Sequence, residues 1–340
     1  MEKIVNEKEY KDKFNEQYQT SFDTLKSELF LPAQQVGKNV ESFGGKKYSY
    51  WKNVFKKLYT SWIFIASVVV ILVVIITAFA AAGNAEAVPI ATERPGLGPA
   101  NPGWYSPIYG GDPQLYLFGF GNLGEDYFVE TSVGTKWTLL FVLAVVGFQL
   151  VVGLTLGAIW GFFKKSDLFF INVTNVINLI PSLVFILLSI NMAGIGFWPV
   201  ILAISLQSWI GYAAATRVQI MLIRNREYNV MSRVLGTNPF KMIVRNILPK
   251  IAPVIVSIGA FVIPDAISLD TSLSYLKFGF VDGTTTTSLG YLIQATITHT
   301  TWLQYPGLLL FPIMIVFVIS FFAFLICYKF ANALNPNAHN

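Results

Sequence analysis

Two carboxylates stand where an apolar chain rarely keeps them: Asp265 within the run 251–269, and Asp270 at its outer end. A carboxylate at the centre of a bilayer costs about 2.5 to 3.5 kcal/mol on insertion scales, so it must face protein, water or a pathway. Asp265 follows Pro264, whose missing N–H predicts a kink that exposes a carbonyl. The position reads either as the polar lining of a translocation cavity or as a buried carboxylate bonded to a neighbouring helix. A proton relay would want acidic partners in other apolar runs, and there are none. His299 and His339 are the only histidines and Cys327 the only cysteine. No multi-ligand metal site and no disulfide framework is expected from so few donors. The nearest approach to a phosphate cradle, Gly44-Gly45-Lys46-Lys47, lacks both the spacing and the hydroxyl. No catalytic residue is assigned, and no cofactor is expected on this chain.

The other place where residue types could do work is 226–249, REYNVMSRVLGTNPFKMIVRNILP. Arg224, Arg226, Glu227, Arg233, Lys241 and Arg245 are interleaved with Met221, Val230, Val234, Phe240, Ile243 and Val244. Apolar residues recurring every three to four positions predict two short amphipathic helices. Gly236 marks the break, where a permissive backbone allows a tight turn. Thr237 or Asn238 then caps the second helix, with Pro239 in its first turn and Pro249 ending it. A plain solvated loop would explain the charges but not this ordered pattern, and loops of such length usually carry function or are disordered. The expectation is a surface gripped by a soluble partner. Met231 and Phe240 would be its apolar anchors, and Arg233, Lys241 and Arg245 its complementary charges.

These elements sit in a membrane frame. Of the 340 residues, 54% are hydrophobic and 13% charged, with mean hydropathy +0.55. Soluble domains carry roughly 25% charged residues, so a water-soluble globule is excluded. A hydrocarbon core about 30 Å thick needs roughly 20 apolar helical residues to cross. Six stretches qualify: 62–82, 137–163, 168–190, 197–215, 251–269 and 307–328. The absence of period-2 alternation excludes a barrel. The fold class is therefore an all-α membrane protein with six transmembrane helices. Near the membrane ends, fifteen Lys and Arg fall on one side against three on the other, which puts both termini and the 226–249 segment in the cytoplasm. The first run reads as an anchor rather than a signal peptide, since 61 residues precede it and its apolar core is long.

Domain organisation follows. Residues 1–61 form a cytoplasmic extension in which Phe14, Tyr18, Phe22, Leu25 and Leu29 give one apolar helical face, ended by Pro32. That helix lies either on the membrane surface or against the bundle or a partner. Residues 62–82 are the first span, and 83–135 an outer loop rich in Pro, Gly and aromatics. The loop reads as a docking surface for an external protein or as a cap over the bundle. Residues 136–330 hold a five-helix core including the 216–250 loop, and 331–340 a cytoplasmic tail. In the second span Gly153, Gly157 and Gly161 recur every four residues, which lets a neighbouring backbone come close.

The cytoplasmic segment resembles the EAA loop of ABC-importer permeases, whose pattern runs from Glu through a central Gly to a closing I-L-P. Glu227, Gly236 and Ile247-Leu248-Pro249 stand at those separations. The E-A-A triplet itself reads Val230-Met231-Ser232. Leu117-Phe118-Gly119 through Asn122-Leu123-Gly124 with Asp126 resembles the F-G-T-D-x-L-G-R-D segment of peptide-importer permeases. Here Phe120-Gly121 replaces T-D, and Glu125 replaces the Arg. Ser272-Leu273-Ser274-Tyr275-Leu276 resembles their S-L-S-F-L-G. Over about residues 60–337 the chain thus resembles the C-type permease subunit of oligopeptide and dipeptide importers.

The resemblance implies a type I permease architecture with a cytoplasmic coupling helix, in the plasma membrane of a bacterium. It implies a heterodimer with a second permease subunit, two cytoplasmic ATP-binding subunits that hold ATP and Mg, and an extracytoplasmic substrate-binding protein. Cargo would be a peptide, with dipeptides or nickel chelates as alternatives, and nucleic acid is no partner. A secondary transporter working without ATP is the rival. It would favour paired carboxylates, internal repeats or broken helices. A non-transporting scaffold or sensor is the third reading.

Overall fold

The computed structural model of the chain describes residues 12–13, 15–16, 50–83, 98–105, 113–122, 124–281 and 286–334. The amphipathic face expected over 14–29 lies outside the described residues. Contacts divide the chain into two units, Met1–Lys52 and Asn53–Asn340, and the second holds the membrane helices.

In chain order the helices are α1 (Tyr50–Thr60), α2 (Trp62–Ala82), α3 (Tyr127–Phe162), α4 (Lys164–Asn178), α5 (Ser182–Ala193) and α6 (Phe197–Arg224). Then come α7 (Glu227–Val234), α8 (Pro239–Met242), α9 (Leu248–Gly259), α10 (Val262–Tyr275), α11 (Leu289–His299) and α12 (Gly307–Leu334). Between α2 and α3 a short antiparallel pair, β1 (Gly103–Tyr105) and β2 (Gln114–Tyr116), sets Trp104 opposite Leu115. Among the described residues, five helical stretches are long and apolar enough to cross a membrane, or six with α4 and α5 counted as one bent span.

Two expectations are corrected here. The run 168–190 is no straight helix: α4 and α5 meet at 82°. Pro181 at the junction offers no N–H, and it turns Ile180 away from helical geometry. Nor does Pro249 end a helix. One helical stretch runs from Pro239 to Tyr275, with a π turn over Ile243–Ile247 directly before Leu248 and Pro249. There Leu248 donates its N–H to the Ile243 carbonyl, and this wider turn accommodates the ring that would clash in a regular α ladder. Near Asp265 the helix is interrupted upstream of Pro264, at Ala260–Phe261, as the missing N–H predicts. Ala260 is the carbonyl four residues before the proline, the one its missing N–H leaves free.

The second crossing also starts earlier than hydropathy suggests. Asp126 caps α3 by accepting from the Phe128 N–H at 2.9 Å, so Glu130 lies in a helical first turn rather than a loop. The last crossing likewise runs on to Leu334.

The core gathers Phe141, Ile190, Val200, Ile204, Ile220, Ile247, Ile251, Ile267 and Leu273, chiefly from α3, α5, α6, α9 and α10. Most of the surface of α2 and α12 is exposed and apolar, as a protein whose solvent is hydrocarbon or a partner helix requires. Part of the outer loop caps this bundle. Phe118 stacks on Phe311 of α12 with ring centroids 4.1 Å apart, and Tyr127 donates its hydroxyl to the Leu308 carbonyl. Trp104, Leu115 and Leu117 stay exposed.

Candidate functional site

α3 and α6 are the most intimate pair, and the three glycines are the reason. A Cβ on Gly153 would stand 2.9 Å from the Tyr212 ring, and one on Gly161 would stand 2.9 Å from the Arg217 carbonyl oxygen. Gly157 lies between them against Ala213 and Thr216. At the end of α6 nearest the polar segment, Arg217 Nε donates to Asp167 at 2.6 Å and Trp160 Nε1 to the same oxygen at 2.9 Å. Arg224 Nη1 donates to the Gly161 carbonyl at 2.7 Å. Thus α3, α4 and α6 are clasped at the base from which the helical hairpin projects.

The hairpin is α7, a four-residue turn and α8. Buried Asn229 donates to the Ile223 carbonyl at 2.9 Å, fixing the angle between α6 and α7. α7 ends in a Schellman turn: Thr237 N–H reaches the Ser232 carbonyl and Gly236 N–H the Arg233 carbonyl, at 3.1 and 3.0 Å. This geometry needs a left-handed residue, and Gly236 supplies it with φ +78°. Of the two candidate caps it is Asn238 that acts, accepting from Phe240 N–H at 3.0 Å, with Pro239 at the first helical position. Asn246 donates to Ser232 Oγ at 3.2 Å across the turn, and the Lys250 ammonium lies 3.1 Å from the centroid of the Tyr228 ring. Arg233 sits 5.7 Å over the Phe162 ring, and Phe240 approaches Phe163 with centroids 6.1 Å apart.

This hairpin leaves a large apolar surface uncovered. Leu235 is 82% exposed, Val234 76%, Phe240 63% and Met231 61%. Glu227, Arg226, Arg233, Lys241 and Arg245 are exposed around it. The closing tripeptide divides: Ile247 is fully buried in the core, Leu248 half-buried, and Pro249 exposed. Val234 and Leu235, the most exposed of these apolar side chains, were absent from the expected anchors. Their place on the rim of the glycine turn was the available signal.

The two carboxylates part company. Asp270 is buried within reach of Ser274 and Ser288 hydroxyls, at 3.4 and 3.5 Å, and Ser288 in turn caps α11. Asp265 is exposed on α10 in register with exposed Ser268 and Ser272, so three polar side chains spaced three and four apart share one face. Among the described residues no cluster of three metal-ligating side chains occurs.

Residues 153–335 match the model of the family described as binding-protein-dependent transport system inner membrane component. The chain is 30% identical to the oligopeptide transport system permease protein AmiD of Streptococcus pneumoniae, over 93% of this chain and 99% of that one. It is 31% identical to the oligopeptide transport system permease protein OppC of Lactococcus lactis subsp. cremoris, over 60% and 71% of the two chains. Among solved structures, an inward-facing form of the MetNI methionine ABC transporter superposes with a TM-score of 0.51 at 14% identity, covering 62% of this chain and 98% of that one. That likeness concerns the fold.

Proposed function

The chain belongs to the binding-protein-dependent transport system inner membrane components, and from that premise we propose that it forms half of an oligopeptide import pore and receives its drive through the α7–α8 hairpin. As a permease subunit of an ABC importer it is a multi-pass membrane protein and not itself an enzyme. One observation carries the reading: an ordered hairpin exposing Met231, Val234, Leu235 and Phe240 beside a cationic rim. Contiguous apolar surface rimmed by charge marks a protein contact.

The occupant is one of two cytoplasmic ATP-binding subunits, which hold ATP and Mg. A second permease subunit completes the pore, and an extracytoplasmic binding protein delivers the cargo. The excess of Lys and Arg beside the hairpin supports a cytoplasmic side for it and for both chain termini, and the bacterial relatives support a plasma membrane as the site. The cargo assignment rests on the relatives named as oligopeptide permeases.

Closure of the ATP-binding subunits displaces α8. Because α8 continues through the π turn into α9, and α7 is fixed to α6 by Asn229, the displacement reaches both crossings as a rigid-body motion. Coupling requires the docked hairpin to differ in energy between the two states of the pore. On α10, the Asp265–Ser268–Ser272 face cannot rest in lipid and lines the hydrated path at the interface with the second permease.

Cysteine at Phe240, with the complex trapped by a short bifunctional cross-linker, should yield a product with an ATP-binding subunit whose yield changes when ATP is added. Double reversal of Arg233 and Lys241 to Glu should reduce co-purification of those subunits. A Phe240 position that stays fully accessible to a soluble thiol reagent throughout turnover would overturn the docking.

A further inference from the structure

Among the described residues only two other than glycine have positive φ, Lys277 at 63° and Thr300 at 54°. The first of them lines a cavity of about 410 Å³, formed where α10 ends and α11 packs beside it. Thr300 directly follows His299, which lines it too. The other polar lining side chains are Ser274, Tyr291, Gln294 and Thr298. The cavity opens at the end of the Pro239–Tyr275 crossing opposite the hairpin.

The left-handed backbone at Lys277 follows from the end of α10. Lys277 N–H bonds to the Ser274 carbonyl and Phe278 N–H to the Leu273 carbonyl, at 3.0 and 2.8 Å, a helix stop that ordinarily takes glycine. This chain has lysine there, after Leu276. A β-branched residue in the same conformation at Thr300 is rarer still. Strain of this kind persists where surrounding structure holds it, and it concentrates at ligand clamps. The volume falls within the range of about 300 to 1,000 Å³ usual for small-ligand sites. Among the described residues its lining holds an ammonium and an imidazole and no carboxylate.

We propose that this cavity binds the carboxylate of a small ligand through Lys277, with His299 and the Gln294 amide completing the donor set. Given the import reading above, on which the source of the ligand rests, that carboxylate is the C-terminus of the peptide cargo at the outer mouth of the pore. Lysine accepts the left-handed backbone because its charge is needed there.

The test uses the full chain co-expressed with its partner subunits in lipid nanodiscs, with tri-alanine and its C-terminal amide as probes. Wild type should bind tri-alanine at least tenfold more tightly than the amide. Lys277→Gly, which suits the backbone and keeps the fold, should bring that ratio near one, and Lys277→Arg should largely preserve it. An unchanged ratio in Lys277→Gly, or no preference in wild type, overturns the site. ATP-driven uptake is scored separately in proteoliposomes. Carboxylate-selective binding with no peptide uptake by wild type would sink the import reading while leaving the site standing.

Discussion

Gly157 and Ala213 bring α3 and α6 so close that a Cβ added to the glycine would stand 2.6 Å from the alanine carbonyl oxygen. Real Cβ atoms do not approach a carbonyl this closely, so a side chain there must move backbone rather than a flexible tip. Gly157→Val should destabilise the subunit by about 1–3 kcal/mol, the usual range for overpacking. Gly147 lies on the same helix with open space around a Cβ, so Gly147→Val is the matched control and should be nearly neutral. Thermal unfolding of the purified subunits in detergent, followed by size-exclusion, reads both. Equal melting temperatures for the two variants would contradict the packing argument.

Asp167 collects two donors, Arg217 Nε at 2.6 Å and Trp160 Nε1 at 2.9 Å, and so ties α4 to both α3 and α6. The ion pair is about a quarter exposed on the Asp side and a fifth on the Arg side, which weakens it through solvent screening. Asp167→Asn should therefore cost about 1–2 kcal/mol, between an exposed and a buried charged hydrogen bond. A double-mutant cycle with Arg217→Gln isolates the pair. A coupling energy near zero would mean that the clasp is only geometric.

Asn238 begins the helix that continues into the long crossing, and its side chain satisfies the Phe240 N–H. Asn238→Ala should cost about 1 kcal/mol, and Asn238→Ser or Asp much less, as N-cap preferences dictate. The loss should be local. Amide exchange at Phe240 and Lys241 should accelerate severalfold while exchange in α10 stays unchanged, and ATP turnover per peptide imported should rise.

Two aspartates five residues apart on one helix should behave oppositely. Asp270 is buried against Ser274 and Ser288, and Asp265 is exposed beside Ser268 and Ser272. Asp270→Leu should lower the melting temperature markedly, because it leaves buried hydroxyls without their acceptor at about 1–3 kcal/mol. Asp265→Asn should leave stability within about 0.5 kcal/mol, as surface changes do, and reduce uptake instead. If Asp265→Asn transports at the wild-type rate, its face does not line the path.

What could be read from sequence was what depends on local pattern. Apolar run length located the crossings, and the order Glu227, Gly236, Thr237 or Asn238, Pro239 announced a helix, a tight turn and a capped restart. The tertiary consequences of proline were less legible. Pro181 bends a run that hydropathy reads as one span, and Pro249 is absorbed by a π turn because Met242 and Ile247 are buried on the same continuous helix. Apolar count also missed where α3 starts, since its first turns carry Glu130 and a row of Ser, Thr and Gly that only packing shows to be buried. The separation of Asp265 from Asp270 needed α11, a helix of 11 residues and so too short to be found as a crossing.

Gly236 offers the sharpest separation of folding from coupling. Its φ of +78° demands glycine, yet nothing stands within 4 Å of a Cβ built there. Replacement therefore costs backbone strain of about 1–2 kcal/mol that does not grow with side-chain size. Gly236→Ala, Gly236→Leu and Gly236→Phe should melt close together, with Gly236→Asn mildest because asparagine tolerates this conformation. Peptide uptake should instead fall steadily with size, because only a docked partner fills that open space. The comparison needs melting curves of the isolated permease and uptake by the full complex, measured on one set of variants. A series in which uptake follows the melting temperatures alone, regardless of side-chain volume, would show that no partner surface meets the turn.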